Sequence, residues 1–361
     1  MEIKISETIT AIGRDNWNSC YPDVLEDYDY FLSIEQSRMK NFRWFYITAM
    51  EGEKTLGCCP GFFTDYDLAI TLPANLHKFA AFLKKHFPGM MALKLACLGS
   101  PCTETCSLGF NPAVADNRKS QVLGNMMAVF EDYARDKKIR LLAFKDVPEN
   151  QKKIWEDTPE CVKYKLVPGM AGAALDINFS SIDEYISSLS AETRKDMRRK
   201  LKMMNKIKIE RRENIDDIIN EAMAMYVETR NRAEFQFEEL TSEYFLGVLK
   251  NMPDRALCNV YYAEGKPAAI NLILADGEIL LDKFFCMYGD IGRKYSLYFL
   301  SWFYNLQYCL EKNIKTYRSG QAGYDNKLRL KVNLEANYIY FRHTNLIVNF
   351  LLRLATPLLS F

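Results

Sequence analysis

The sequence predicts an α/β chain of two units, each with a mixed, mostly antiparallel sheet flanked by helices. Three observations lead there. From Ala256 to Tyr288 three β-rich runs follow one another, Ala256–Ala263, Ala268–Ala275 and Ile279–Tyr288, separated by the turn signals Glu264-Gly265-Lys266-Pro267 and Asp276-Gly277-Glu278. A helical stripe comes next, with Phe299, Phe303, Leu306 and Leu310 at i, i+4, i+7 and i+11. The same order of strand, loop, long helix, strand, short helix and strand appears in both halves of the chain.

In chain order, Phe42–Ile47 and Asp67–Leu72 read as strands and Ala74–His86 as a helix. Strands are expected at Met91–Leu98, Ile139–Lys145 and Val162–Val167, with helices at about 119–137 and 149–157 between them. Pro168-Gly169-Met170-Ala171-Gly172 is a glycine-rich connector, which sets the expected boundary: one unit over 1–172, a second over 173–361. In the second unit a helix is expected over 215–230 and another from Ser296, a plausible N-cap, to Lys312. A strand over 314–318, a short helix over 323–330 and a last strand over 335–341 complete it.

The totals bound the function. The chain has 361 residues and a formal charge of +1, so any attraction for a polyanion must be local. Ten scattered cysteines and an N-terminus without an apolar leader point to a reducing, cytoplasmic setting. No run of about 18 apolar residues predicts a transmembrane helix. Cys102 and Cys106 lack the further ligands that a zinc site needs, so no metal is expected.

Several clusters carry chemistry. The segment Gly289–Ser296 joins a strand to a helix, and a helix start offers free N–H groups to an anion. Gly292, Arg293, Lys294, Tyr295 and Ser296 are its candidate carrier-binding residues. The turn Ser319–Lys327 packs Gly320, Gln321, Gly323, Tyr324, Asp325 and Lys327 into nine residues, where glycines permit close approach of a ligand. Asp282 is a carboxylate in an apolar strand, a setting that raises a pKa and suits a proton acceptor. Tyr288 and Tyr324 are rival proton donors, and Arg230 and Arg232 are candidates for holding an acceptor carboxylate. Residues 194–212 hold ten Lys and Arg against two acids and read as a basic helix. The apolar tail from Leu346, broken by Pro357, is too short to span a bilayer; it suits packing on the body or peripheral membrane contact.

Four segments give the chain a resemblance to the GNAT superfamily of N-acyltransferases, and within it to the FemAB-like, double-GNAT branch. They are Leu189–Lys202, the hairpin Tyr262–Asn271, Gly320–Arg329 (similar to that branch's glycine–glutamine–glycine turn followed by a lysine) and Leu98–Glu104. The resemblance implies tandem GNAT-like folds and an N-acyltransferase that uses acyl-CoA as co-substrate, with a small-molecule or cell-envelope amine as acceptor. It also implies that Lys327 looks toward the reacting carbonyl and stabilises an oxyanion. The sequence departs from ordinary acetyltransferases in lacking Q/R-x-x-G-x-G/A before the expected pyrophosphate helix. Two alternatives therefore stand beside the first: an aminoacyl-tRNA-dependent transferase that uses Arg194–Arg212, and a non-catalytic ligand-binding module.

Overall fold

The computed structural model describes residues 1–67, 92–233 and 237–356. The strand expected beyond Asp67, the helix expected over 74–86 and the tail from Pro357 lie outside the described residues. The strands are β1 (Glu2–Ser6), β2 (Arg43–Glu51), β3 (Lys54–Asp67), β4 (Ala92–Leu98), β5 (Gly109–Phe110), β6 (Leu141–Pro148), β7 (Lys165–Pro168), β8 (Gly172–Asp176), β9 (Ile207–Arg212), β10 (Ala256–Ala263), β11 (Lys266–Ala275), β12 (Ile279–Met287), β13 (Thr316–Arg318), β14 (Asn333–Glu335) and β15 (Asn337–His343). The helices are α1 (Arg14–Asn18), α2 (Tyr28–Gln36), α3 (Asp116–Asp136), α4 (Glu149–Glu156), α5 (Ile182–Ser188), α6 (Ala191–Leu201), α7 (Ile219–Arg232), α8 (Ser242–Asn251), α9 (Gly289–Tyr295), α10 (Leu297–Lys312), α11 (Tyr324–Arg329) and α12 (Leu346–Ala355).

Two sheets result. The first runs β1-β2-β3-β4-β6-β15-β7, with β5 beside β3; the second runs β14-β8-β13-β12-β11-β10-β9. Among the described strands the parallel pairs are β4 with β6, across α3, and β12 with β13, across α10. Each half thus carries one strand–helix–strand crossover inside an antiparallel sheet, the repeated order read from the sequence. The long helices form where the apolar spacing placed them. On α10, Leu300, Phe303 and Leu306 are buried; fully burying a side chain of this size contributes roughly 1.5–3 kcal/mol.

Three differences from the sequence reading have physical causes. The strand expected over 335–341 completes the first sheet, because β15 pairs on one side with β6 and on the other with β7. β3 crosses Gly57, Pro60 and Gly61, residues that argue against a strand. It is held by pairing with β2 and β4, and the Phe45 ring lies over Gly61, where a Cβ would sit 2.4 Å from it. The basic stretch is not one helix: α6 ends at Leu201, and Ile207–Arg212 is the edge strand β9.

The halves also share a core. Trp17, Tyr30 and Phe31 of the N-terminal segment pack with Tyr244, Phe245 and Leu272 of the second half. Arg255, just before β10, reaches back to Asp27 at 2.8 Å and Asp29 at 2.9 Å. All ten cysteines are buried and unpaired. Among the described residues no helix is long and apolar enough to cross a membrane.

Candidate active site

Past β13 the chain reverses through Gly320, Ala322 and Gly323, all with positive φ, and enters α11. This winding points three carbonyls inward. The Lys327 ammonium donates to those of Ser319 (2.6 Å), Gly320 (2.8 Å) and Gln321 (3.4 Å). Burial lowers the Lys327 pKa to about 8, while the carboxylates of Asp282 and Glu104 oppose that shift. The outer side of the turn is clamped to the first half. Gln321 Nε2 donates to the carbonyls of Glu104 (3.2 Å) and Met170 (2.9 Å), and Asn337 Nδ2 donates to the same two. The Tyr324 hydroxyl donates to the Ala171 carbonyl at 2.9 Å, and burial raises its pKa.

Glu104 enters this junction from the loop after β4. Its Oε1 and the Lys327 ammonium flank one point: a Cβ on Gly320 would lie 3.5 Å from the first and 4.0 Å from the second. Glu104 Oε2 is buried without a hydrogen-bond partner. Burial raises this carboxyl's pKa, against the pull of Lys283, Arg318 and Lys327. An unsatisfied carboxyl oxygen beside a buried lysine is an unmet acceptor where the two halves of the chain meet. The sequence singled out Leu98–Glu104 as a segment but not Glu104 as a site residue.

Asp282 is close by, but its oxygens are occupied. Asn271 donates to Oδ1 at 2.5 Å; Tyr317 (2.7 Å) and Asn305 (3.2 Å) donate to Oδ2. Asn305 also donates to Asn271 and accepts from Asn259, so one polar network spans β10, β11, β12, β13 and α10. Burial raises the Asp282 pKa despite these donors. The network was not read from the sequence, where single asparagines in apolar runs carry no signal.

A bulge in β12 makes Lys283 the extra residue between the pairs Leu272–Phe284 and Ile273–Asp282. Its buried ammonium turns to the first half, ion-pairs with Glu26 and donates to the Cys102 carbonyl at 2.8 Å. A cavity of about 310 Å³ opens beside the turn against the face of the first sheet. Phe62, Leu95, Leu141, Phe237 and Leu352 give it apolar walls, while Lys145, Asp146, Glu238 and Gln321 border its polar end.

The structure therefore brings Asp282, Gly320, Gln321, Tyr324 and Lys327 together. It sets Gly292, Arg293, Lys294, Tyr295, Ser296, Tyr288 and Arg232 beyond the far end of β12. Gly289 lies seven positions after Asp282, up to about 23 Å at ~3.3 Å per residue. No residue of 289–296 lines the cavity. The expected open loop is the short helix α9, because Gly289 N–H is capped by Glu228 Oε1 at 2.7 Å and Gly292 N–H bonds the Tyr288 carbonyl at 2.7 Å. Arg293 pairs with Asp290, and Lys294 and Tyr295 with Glu264. Ser296 is left-handed and makes no side-chain cap. Arg232 pairs with Glu228 (2.6 Å) and donates to the Met287 carbonyl (2.9 Å); Arg230 lies at the loop beside the cavity, donating to the Glu238 carbonyl at 3.3 Å.

Residues 106–344 match a family described as FemAB-like, peptidoglycan biosynthesis/recognition. The chain belongs to the FemAB-like family. The FemAB-like assignment agrees with solved structures: that of FemX superposes with a TM-score of 0.60 at 12% identity, covering 94% of this chain and 97% of that one. A tandem GNAT protein from the clavulanic acid biosynthesis pathway gives 0.53 at 10% identity, covering 95% and 99%. L-PGS from Bacillus licheniformis gives 0.52 at 10%, covering 89% of each. These likenesses establish a FemAB-like double-GNAT fold. A curated relative, a putative 8-amino-7-oxononanoate synthase 2 of Mycobacterium tuberculosis, is 23% identical in an alignment of 332 positions that covers 88% of this chain. The match spans 42% of that relative's length.

Proposed function

We propose that the protein is an N-acyltransferase that moves an acyl group from an activated carrier, acyl-CoA first among candidates, to the amine of a small-molecule or cell-envelope acceptor. The observation that carries this reading is the Glu104 carboxyl with a free oxygen beside the buried Lys327 ammonium at Gly320. The amine nitrogen attacks the carrier's carbonyl carbon, the C–N bond forms and the C–S bond breaks. Glu104 takes the amine proton and passes it to the leaving thiolate, which departs as the thiol and restores the carboxylate. The positive charge of Lys327, held against three carbonyls, lowers the energy of the oxyanion through its field.

The geometry of β12 supports a thioester donor. β13 pairs with it only over Ile279–Leu281, so the edge from Asp282 to Met287 has no strand partner on that side among the described strands. An extended carrier arm that hydrogen-bonds along this edge would run from the Lys327 turn to α9, where Arg293 and Lys294 are exposed. The test is direct. Purified protein is mixed with acyl-CoAs of graded length and a panel of amines, and thiol release and the amide mass are followed. Transfer that Glu104→Gln abolishes supports the reading; no transfer to any amine removes it.

One observation favours a second donor, aminoacyl-tRNA. Lys195, Arg198, Lys202 and Lys206, on α6 and the turn after it, are exposed and have no carboxylate partner among the described residues. Such a patch suits phosphates and gives salt-dependent binding. Filter binding of aminoacyl-tRNA at graded salt separates the two donors.

A further inference from the structure

The cavity against the first sheet has two unlike ends. Its floor is the apolar face of β4 and β6, with Leu95, Leu141 and Ala143, and Phe237 stacks edge-on to Phe42, Phe62 and Tyr66 to form one wall. Leu352 of α12 closes another side. At about 310 Å³ the cavity is at the small end of ligand pockets and suits one hydrocarbon chain of roughly ten carbons. A purely apolar ligand would leave the other end unsatisfied, because Lys145, Asp146, Glu238 and Gln321 converge there.

The charges at that end do not balance. Lys145 and Asp146 form an ion pair with each other, and the Lys145 ammonium also reaches the Thr103 carbonyl at 3.4 Å. Gln321 is committed to two carbonyls. Glu238 remains, a carboxyl on the cavity wall with no salt-bridge partner among the described residues. Burial raises its pKa, and the hydrogen bond from its own backbone N–H, then the charges of Lys145, Lys283 and Arg230, only partly oppose that. A carboxyl so placed is stabilised by a cation that arrives with the ligand.

We infer that this cavity binds the acceptor as a single-chain amphiphilic amine: a hydrocarbon tail of roughly ten carbons lies between Phe62, Phe237 and Leu352, and the ammonium meets Glu238 beside the Gln321 turn. The inference rests on the amine-acceptor reading given above and names the acceptor's class. Gln321 ties the cavity's polar end to the same turn that carries Lys327. Gln321 thus belongs both to the cavity wall and to the turn at which transfer is proposed.

The experiment measures binding to the full chain by titration calorimetry with no donor present, using decylamine, butylamine, decanol and decanoate below their aggregation limits. Decylamine is expected to bind, and butylamine at least about a thousandfold more weakly, since six buried methylenes are lost. Glu238→Gln is expected to weaken decylamine by about tenfold or more and to leave decanol unchanged. Ala143→Phe and, as an independent plug, Leu95→Phe are each expected to remove decylamine binding while melting as folded proteins. No decylamine binding, decanoate binding as tightly as decylamine, or decylamine binding untouched by a plug that folds would each overturn the inference. Decylamine that binds but is never acylated would instead sink the transfer reading and leave this site standing.

Discussion

Glu104 and Lys327 come from opposite halves of the chain and both lie beside Gly320, where a Cβ would stand 3.5 Å from the carboxyl and 4.0 Å from the ammonium. With φ at +79°, that position also favours glycine. A Gly320→Ala change therefore strains the backbone and puts a methyl in contact with both the carboxyl and the ammonium. Activity is expected to fall by at least about a hundredfold, a misplacement effect, with a melting curve that remains cooperative.

Lys327 predicts a pH signature with two opposite slopes. Its folded pKa of about 8 lies below the ordinary lysine value, so between these two the unfolded chain holds more protons. Its contribution to stability is therefore fully present above the unfolded pKa and is lost as pH falls through about 8. The proposed mechanism uses the charged form, so kcat/KM is expected to fall as pH rises through about 8, on the side where stability improves. Rate profiles and urea melts from pH 6.5 to 9.5 read both. Lys327→Arg keeps its charge throughout, so the falling limb should vanish.

Glu104 and Asp282 are expected to separate as reactive and structural carboxyls. Glu104→Gln should lower kcat by about 10²–10⁴ with stability little changed, because the altered oxygen has no partner to lose. Asp282→Asn puts an amide donor among Asn271, Asn305 and Tyr317 and should cost about 2–4 kcal/mol in urea denaturation. Equal activity losses with unchanged stability in both would contradict this division.

Charge reversal at the two cationic surfaces distinguishes the carriers. For a tRNA donor, Lys195→Glu with Lys202→Glu should flatten the salt dependence of binding, while Arg293→Ala with Lys294→Ala changes little. For a thioester donor, the α9 pair should raise KM for acyl-CoA and the α6 pair should not. Steady-state rates and filter binding on the same two double variants check it.

Much of this was legible in the sequence, for reasons specific to each element. Phe303 and Leu306 repeat at a helical period, and the glycines around Gln321 announce a turn that approaches its surroundings closely. Gly57 and Gly61 hid β3, because propensity weighs a residue alone and cannot see the Phe45 ring that needs the space. Glu104 sat in a short polar loop, where a carboxylate normally reads as solvated; its burial comes from the second half closing over it. The apolar pattern of β15 announced a strand but carried no information about which sheet it joins. The pair at Gly289 and Gly292 read as an open loop, since the cap from Glu228 is sixty-one residues away in the chain.

β15 lies between β6 and β7 although about 170 residues of synthesis separate it from β7. A nascent chain leaving the ribosome at ~5–20 residues per second must wait roughly 10–30 s with that slot vacant. Both flanking edges stay bare through the interval and invite foreign strands. Residues 1–172 released by themselves should accumulate as insoluble material, and a separately supplied peptide spanning 333–356 should restore them to solution.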